Sequence, residues 1–276
     1  MRQDNGTGPP ATNRRDPEHD HEFAAIAEYL GESPETVIPL HMLREGSCEI
    51  VCVGSPHDPE GVIIQSTVYP EEPIAFGGAE AIASILPSLS GWTCLNVHAD
   101  LADALAEDVR RAAGAPSVRM QDDVYHVLDA PAPEIDRPDV RLMTPADVTF
   151  FRSAPDELGG VDAAWLLEHL RHGHVAGAIR DGRVVSIAHT FATTATFTDL
   201  GVTTVPDWRR RGLATATAAV VARAVQEDGR IPVWSCGGSN EASMAAAARL
   251  GFVEVSRRVY LIPAMEPDAV GGEATS

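Results

Sequence analysis

The stretch Arg209-Arg210-Arg211-Gly212-Leu213-Ala214 decides the reading of this chain. It stands where a strand pattern over 197–205 gives way to a helix pattern over 212–226. A helix N-terminus already carries partial positive charge, so three arginines beside it are misplaced on their own. The first turn also lacks the acidic residue common at that position. An anion between the arginines resolves the conflict. Backbone N–H groups at the helix start add donors, and Gly212 lets a ligand approach the backbone closely. The stretch therefore reads as a phosphate or pyrophosphate site, against the plainer alternative of a solvated basic patch.

Composition narrows what that anion belongs to. With 276 residues the chain has room for two domains of ordinary size, and 44% hydrophobic content supplies their cores. A net charge of −19 argues against nucleic acid as a partner, because phosphate backbones recruit Lys and Arg. Such a field favours cationic ligands near an acidic cleft; a general bias toward acidic proteins would give the same number. Lysine is absent, and all 21 basic residues are Arg. That excludes a Walker-type P-loop and Schiff-base chemistry on pyridoxal phosphate, both of which need a lysine. Cys48, Cys52, Cys94 and Cys236 form no CxxC pair, and no signal peptide or membrane-length apolar run is evident, so a cytoplasmic setting without a membrane partner is expected.

The chain divides into two similar halves between polar tails at 1–21 and 264–276. Residues 22–130 read as helix 22–30, strands 49–53, 62–68 and 74–76, helix 79–86, strand 92–97, helix 101–113 and strand 118–128. Pro131, Pro133 and Pro138 mark a linker over 131–138. Residues 139–263 then give strand 140–143, helices 145–151 and 163–170, and strands 174–179 and 184–191 joined at Asp181-Gly182. Strand 197–205, helix 212–226, strand 231–236, helix 241–250 and strand 252–262 follow. Each half runs hairpin, third strand, helix, strand, helix, terminal strand, which reads as an old duplication. The first half has Gly77-Gly78-Ala79 where the second has its arginines, so it lacks the anion site and is expected to pack and to shape a substrate cleft.

The second half resembles the GNAT superfamily of N-acetyltransferases. That family's signature, Q/R-x-x-G-x-G/A at a strand-to-helix junction, is met by Arg209-x-x-Gly212-x-Ala214, preceded by Val205-Pro206-Asp207-Trp208. Asn240 is followed eleven residues on by Gly251-Phe252, the family's second element. The resemblance implies an α/β (α+β) fold: a mixed, mostly antiparallel sheet flanked by helices, here duplicated. It implies acetyl-CoA as cosubstrate, its pyrophosphate on Arg209, Arg210, Arg211, Gly212, Leu213, Ala214 and Thr215. Val202, Thr203 and Thr204 would pair with the pantetheine arm as an added strand, and Asn240 would hydrogen-bond it. Singly, Asn240 also suits a helix N-cap and the threonines suit an ordinary strand.

The usual catalytic residues do not carry over. A Tyr seven residues after the Asn is Ala247 here, and a Glu five residues before it is Ser235. A Glu on the third strand is Thr198, with Asp199 beside it. Asp199 is therefore the candidate base and Tyr260 the candidate acid, with His189 as another base of suitable intrinsic pKa. A metal site is not expected, whether at His169, His172 and His174 or at His19-Asp20-His21. The expected activity is acetyl transfer to a primary amine of a small molecule by direct attack in a ternary complex. Two rivals stand beside it: a non-catalytic acyl-CoA-binding or regulatory protein, and a protein or aminoacyl N-acetyltransferase. Monomer and homodimer both remain open.

Overall fold

Among the described residues eleven strands form one continuous sheet, and the order in which they lie is not the order in which the chain makes them. The computed structural model describes residues 17–152, 154 and 156–264. The first half supplies α1 (Pro17–Leu30), α2 (Val37–Glu45), β1 (Cys48–Ser55), β2 (Asp58–Ser66), β3 (Ile74–Gly77), α3 (Ala79–Ile85), β4 (Leu95–His98), α4 (Ala102–Ala113) and β5 (Ser117–Val127). The second supplies β6 (Val140–Leu142), α5 (Val148–Phe151), α6 (Ala163–His172), β7 (Val175–Arg180), β8 (Arg183–Thr193), β9 (Phe197–Thr204), α7 (Leu213–Glu227), β10 (Ile231–Gly237), α8 (Glu241–Leu250) and β11 (Val253–Ala264). The sheet is mixed and mostly antiparallel, with parallel pairing at β3–β4 and β9–β10.

The sheet order is β1-β2-β3-β4-β11-β5-β10-β9-β8-β7-β6. The terminal strand of each half therefore sits with the other half. β11 pairs antiparallel with β4, β5 pairs antiparallel with β10, and β5 and β11 pair with each other along the middle. A boundary at 131–138 cuts the sequence but not the sheet, because each half's sheet is completed by a strand from across that boundary.

Helices cover both faces as the strand periodicity requires. The Ala-rich α7 buries Ala218, Ala219, Val221, Ala222 and Val225 against Leu200, Trp234 and Phe252, together with Ala246 and Leu250 of α8. Small side chains bring these helices close to the sheet. In the first half, Ile82 of α3 and Leu105 and Val109 of α4 pack on Ile63, Leu95, Val97 and Leu261. Leu261 belongs to β11, so the exchanged strand is part of that core.

Two elements differ from the sequence expectation. α1 begins at Pro17, so residues 17–21 of the expected tail are helical, while 1–16 and 265–276 lie outside the described residues. α2 was not expected at all: its core residues Val37, Pro39, Leu40 and Leu43 are buried. A capping box formed by Ser33 and Thr36 precedes it, and β-branched residues and Pro39 mask its helical period.

Candidate active site

The site is made by two parallel strands that part. β9 and β10 pair at Phe197↔Ile231, Thr198↔Pro232 and Asp199↔Val233, and no further. Beyond Asp199, β9 stays on β8 through Ser186↔Thr204, while β10 stays on β5 through Gly237↔Asp123. Each strand holds its outer neighbour, so the space between them opens. Backbone direction alternates along a strand, and the hydrogen bonds fix its phase. Val205 N–H donates to Val185 and Thr194 N–H to the Phe197 carbonyl, so odd-numbered residues of β9 face β8. Ile231 N–H donates to the Thr196 carbonyl, so even-numbered ones face β10. Val202 and Thr204 thus present their backbone groups to the opening, whereas the Thr203 carbonyl accepts from Ser186 Oγ at 3.3 Å.

A cavity of about 580 Å³ fills this opening and continues to the start of α7. It is lined by Val202, Thr203 and Thr204, by Arg209, Arg210, Gly212, Leu213, Ala214 and Thr215, and by Asn240. The structure thus brings together every residue expected for the cosubstrate except the Arg211 side chain. Gly212 is the N-cap of α7 at φ 75, left-handed backbone, and an added Cβ there would meet nothing nearer than 4.0 Å. Its requirement for glycine is conformational rather than steric. The N–H groups of Leu213, Ala214 and Thr215 precede the first residue able to bond within the helix, Ala216, whose N–H donates to the Gly212 carbonyl.

The arginines separate by role. Arg209 Nε donates to the Thr204 carbonyl at 3.1 Å, which ties the loop to the end of β9. Arg210 adopts φ 58, and its side chain lines the cavity. Arg211 turns away: its guanidinium donates to the Asp207 carbonyl and lies 4.6 Å from the Trp208 ring centre. It lines a separate depression with Arg137 and Arg180.

Asn240 takes the capping role that the sequence left as an alternative. Its Oδ1 accepts from Ser243 N–H at 3.1 Å, which leaves the amide donors for a ligand. Several cavity residues were missed by the sequence reading. Ala242, Ala245, Ala246 and Arg249 of α8 share one helix face, and Trp234 donates its indole N–H to Ser243 Oγ at 2.9 Å. The i, i+3, i+4, i+7 spacing of 242, 245, 246 and 249 is the signal that would have found them.

The catalytic candidates lie on the opposite face of the sheet from α7 and α8. Asp199 is at the apex where the strands part, 4% exposed, and accepts from Ser235 Oγ at 3.1 Å. Burial raises its pKa to about 8, with the Ser235 hydrogen bond only partly offsetting this. Asp199 lines neither this cavity nor the acceptor-side ones described below. Tyr260, on β11 opposite Asn96 of β4, has its pKa pushed far up by burial and then by the Asp123 carboxylate, so it keeps its proton. His189 lies in an aromatic cluster with Trp165, His169 and Phe191. Burial lowers its pKa to about 4. A Cβ on Gly201 would meet its Nε2 at 2.5 Å, so the ring is packed directly on β9. Ala247, at the position where the resemblance would place a tyrosine, is completely buried in the core.

The first half has the same parted strands, but there a side chain bridges them. β3 and β4 pair only at Ile74↔Asn96. The guanidinium of Arg258, a β11 residue that is 1% exposed, donates across the gap to the Ala75 carbonyl at 2.7 Å and the Asn96 carbonyl at 3.3 Å. It also lies 4.4 Å from the Phe76 ring centre and 3.7 Å from Glu35. The exchanged strand thus plugs the place that is open in the second half.

These features define a class: a duplicated mixed sheet with one open pair of parallel strands facing a helix N-terminus. Residues 167–260 match the family model described as GNAT acetyltransferase, so the C-terminal part of this chain is a GNAT acetyltransferase domain. Solved structures agree on the fold. A GCN5-related N-acetyltransferase-like protein from Streptococcus suis is similar at TM-score 0.58 and 19% identity, over 88% of this chain and 98% of that one. A GNAT-family acetyltransferase from Colwellia psychrerythraea gives TM-score 0.59 at 11% identity, over 91% and 98%. A tandem GNAT protein from the clavulanic acid biosynthesis pathway gives 0.55 at 16% identity, over 90% and 95%. No curated protein matches the chain. Among the described residues no helix is long and apolar enough to cross a membrane.

Proposed function

We propose that the chain is an acyl-CoA-dependent N-acyltransferase that moves an acetyl group from acetyl-CoA to a primary amine of a small molecule. One observation carries this reading: the edge of β9 that has no strand partner at Val202 and Thr204 runs directly into the N–H groups at the start of α7. An extended arm ending in a pyrophosphate needs that combination. The strand edge pairs with the arm and the helix start takes the anion.

The residues divide the chemistry as follows. The backbone N–H groups of β9 that face the opening polarise the thioester carbonyl. The acceptor ammonium loses one proton toward Asp199 through Ser235 Oγ, the neutral amine attacks the carbonyl carbon, the C–S bond breaks as the C–N bond forms, and the second nitrogen proton passes to the departing thiolate. Tyr260 keeps its proton and stabilises the departing thiolate as a hydrogen-bond donor. Much of the acceleration comes from holding two reactants together.

Because Asp199 holds its proton up to about pH 8, kcat/KM is expected to rise through that pH, and Asp199→Asn should remove the rising limb. The first experiment offers the chain acetyl-CoA with a panel of amines and follows free thiol. Amine-dependent thiol release supports the reading. Acetyl-CoA binding without release from any amine would favour a non-catalytic acyl-CoA-binding protein, the reading to which Ser235 and Ala247 point.

A further inference from the structure

Two cavities meet on the far side of β10 from the acyl-CoA opening. The smaller, about 310 Å³, reaches β10 at Ser235, Cys236 and Gly237, just past the last residue paired with β9. The larger, about 390 Å³, lies between the halves, with walls from α2, β8 and β11. Glu72 and Tyr260 line both, so they stand where the two join. Burial and the Asp123 carboxyl raise the pKa of Glu72, and the nearby Tyr260 side chain only partly offsets this.

The lining has a definite chemistry. Among the described residues Glu71, Glu72 and Asp123 bring carboxyl groups, His41 is the one basic side chain, and no arginine lines either cavity. The outer cavity also carries Ser47, Ser66 and Asn96, and Ile38, Met42, Tyr69 and Phe191 form an apolar part of its wall. Tyr69 is 61% exposed and Phe191 42%, large apolar groups left at a mouth rather than scattered over the surface. A pocket of this size with a few fixed polar groups suits a small organic molecule.

We propose that this joined cavity is the acceptor site, and that it takes a monoamine with a compact aromatic or aliphatic body and no carboxylate. The ammonium lies against Glu72, and the body sits among Ile38, Met42, Tyr69 and Phe191. Glu72 belongs to the first half, so that half supplies acceptor recognition although it has no open strand pair of its own. A free carboxylate on the acceptor would meet Glu71, Glu72 and Asp123, while the nearby guanidinium of Arg258 is already bonded to the Ala75 and Asn96 carbonyls. This inference rests on the N-acyltransferase reading, since it names the acceptor of that reaction.

The test is a titration of phenylethylamine into the full chain saturated with coenzyme A, which needs no turnover. Binding is expected for phenylethylamine and at least tenfold weaker binding for phenylalanine, its carboxylated counterpart. Glu72→Gln should weaken phenylethylamine at least tenfold and Phe191→Ala severalfold, with coenzyme A affinity unchanged in both. Equal binding of the two ligands, no binding of either, or an affinity indifferent to Glu72→Gln would overturn the inference. If phenylethylamine binds as expected but no acetyl-CoA thiol is released, the acceptor pocket stands and the transfer reaction is what fails.

Discussion

Asp199 and Glu32 show how the same side-chain chemistry is driven in opposite directions by its surroundings. Asp199 is enclosed with one serine donor, and its pKa rises to about 8. A raised carboxyl binds its proton more tightly when folded. Its stabilising contribution is whole below the unfolded pKa of about 3.9 and is lost as pH rises through about 8. Asp199→Asn should therefore stabilise the chain by at least about 1 kcal/mol at pH 8.5 relative to pH 4, read from urea midpoints. Glu32 is also desolvated, but bonds from Thr196, Arg44 and Ala195 outweigh this and hold its pKa at about 2. Its contribution is whole above about pH 4.3 and is lost as pH falls toward 2. Glu32→Gln should cost on the order of 1 kcal/mol at pH 7, given its partial exposure, and nothing at pH 2. Neither environment could be read from sequence, because the partners Ser235 and Thr196 are remote along the chain. The type of residue was legible; its ionisation was not.

The loop from Arg209 to Leu213 is the element whose physics the sequence conveyed best. Misplaced charge and a glycine predicted an anion site, and the structure joins that loop to the open edge of β9. What sequence could not convey is that adjacent arginines diverge. Arg209 and Arg210 line the cavity while Arg211 stacks on Trp208. Arg210→Glu and Gly212→Asp are each expected to weaken acetyl-CoA binding at least tenfold by calorimetry. Arg211→Ala should weaken it less than threefold, since it keeps the backbone and removes a side chain that faces elsewhere. α2 shows the reverse case: its period is hidden by Val37, Ile38 and Pro39, and tertiary burial rather than local propensity makes it helical.

At the scale of the molecule, the exchange of β5 and β11 was invisible in the sequence, because nothing local distinguishes a strand that returns to its own half from one that crosses. The duplication itself was legible from the repeated element order. The exchange has an energetic and a functional result. Arg258, carried into the first half by β11, closes that half's parted strands. Arg258→Ala removes the partner of a buried polar group and should destabilise the chain by about 3–5 kcal/mol in urea unfolding. With one opening shut and one free, the chain should bind one acetyl-CoA. Amide hydrogen exchange with and without acetyl-CoA tests where it binds. The account predicts slowed exchange over residues 200–216 of β9 and α7, with residues 74–80 of β3 and α3 unchanged. Protection at 74–80, or none at 200–216, would contradict it.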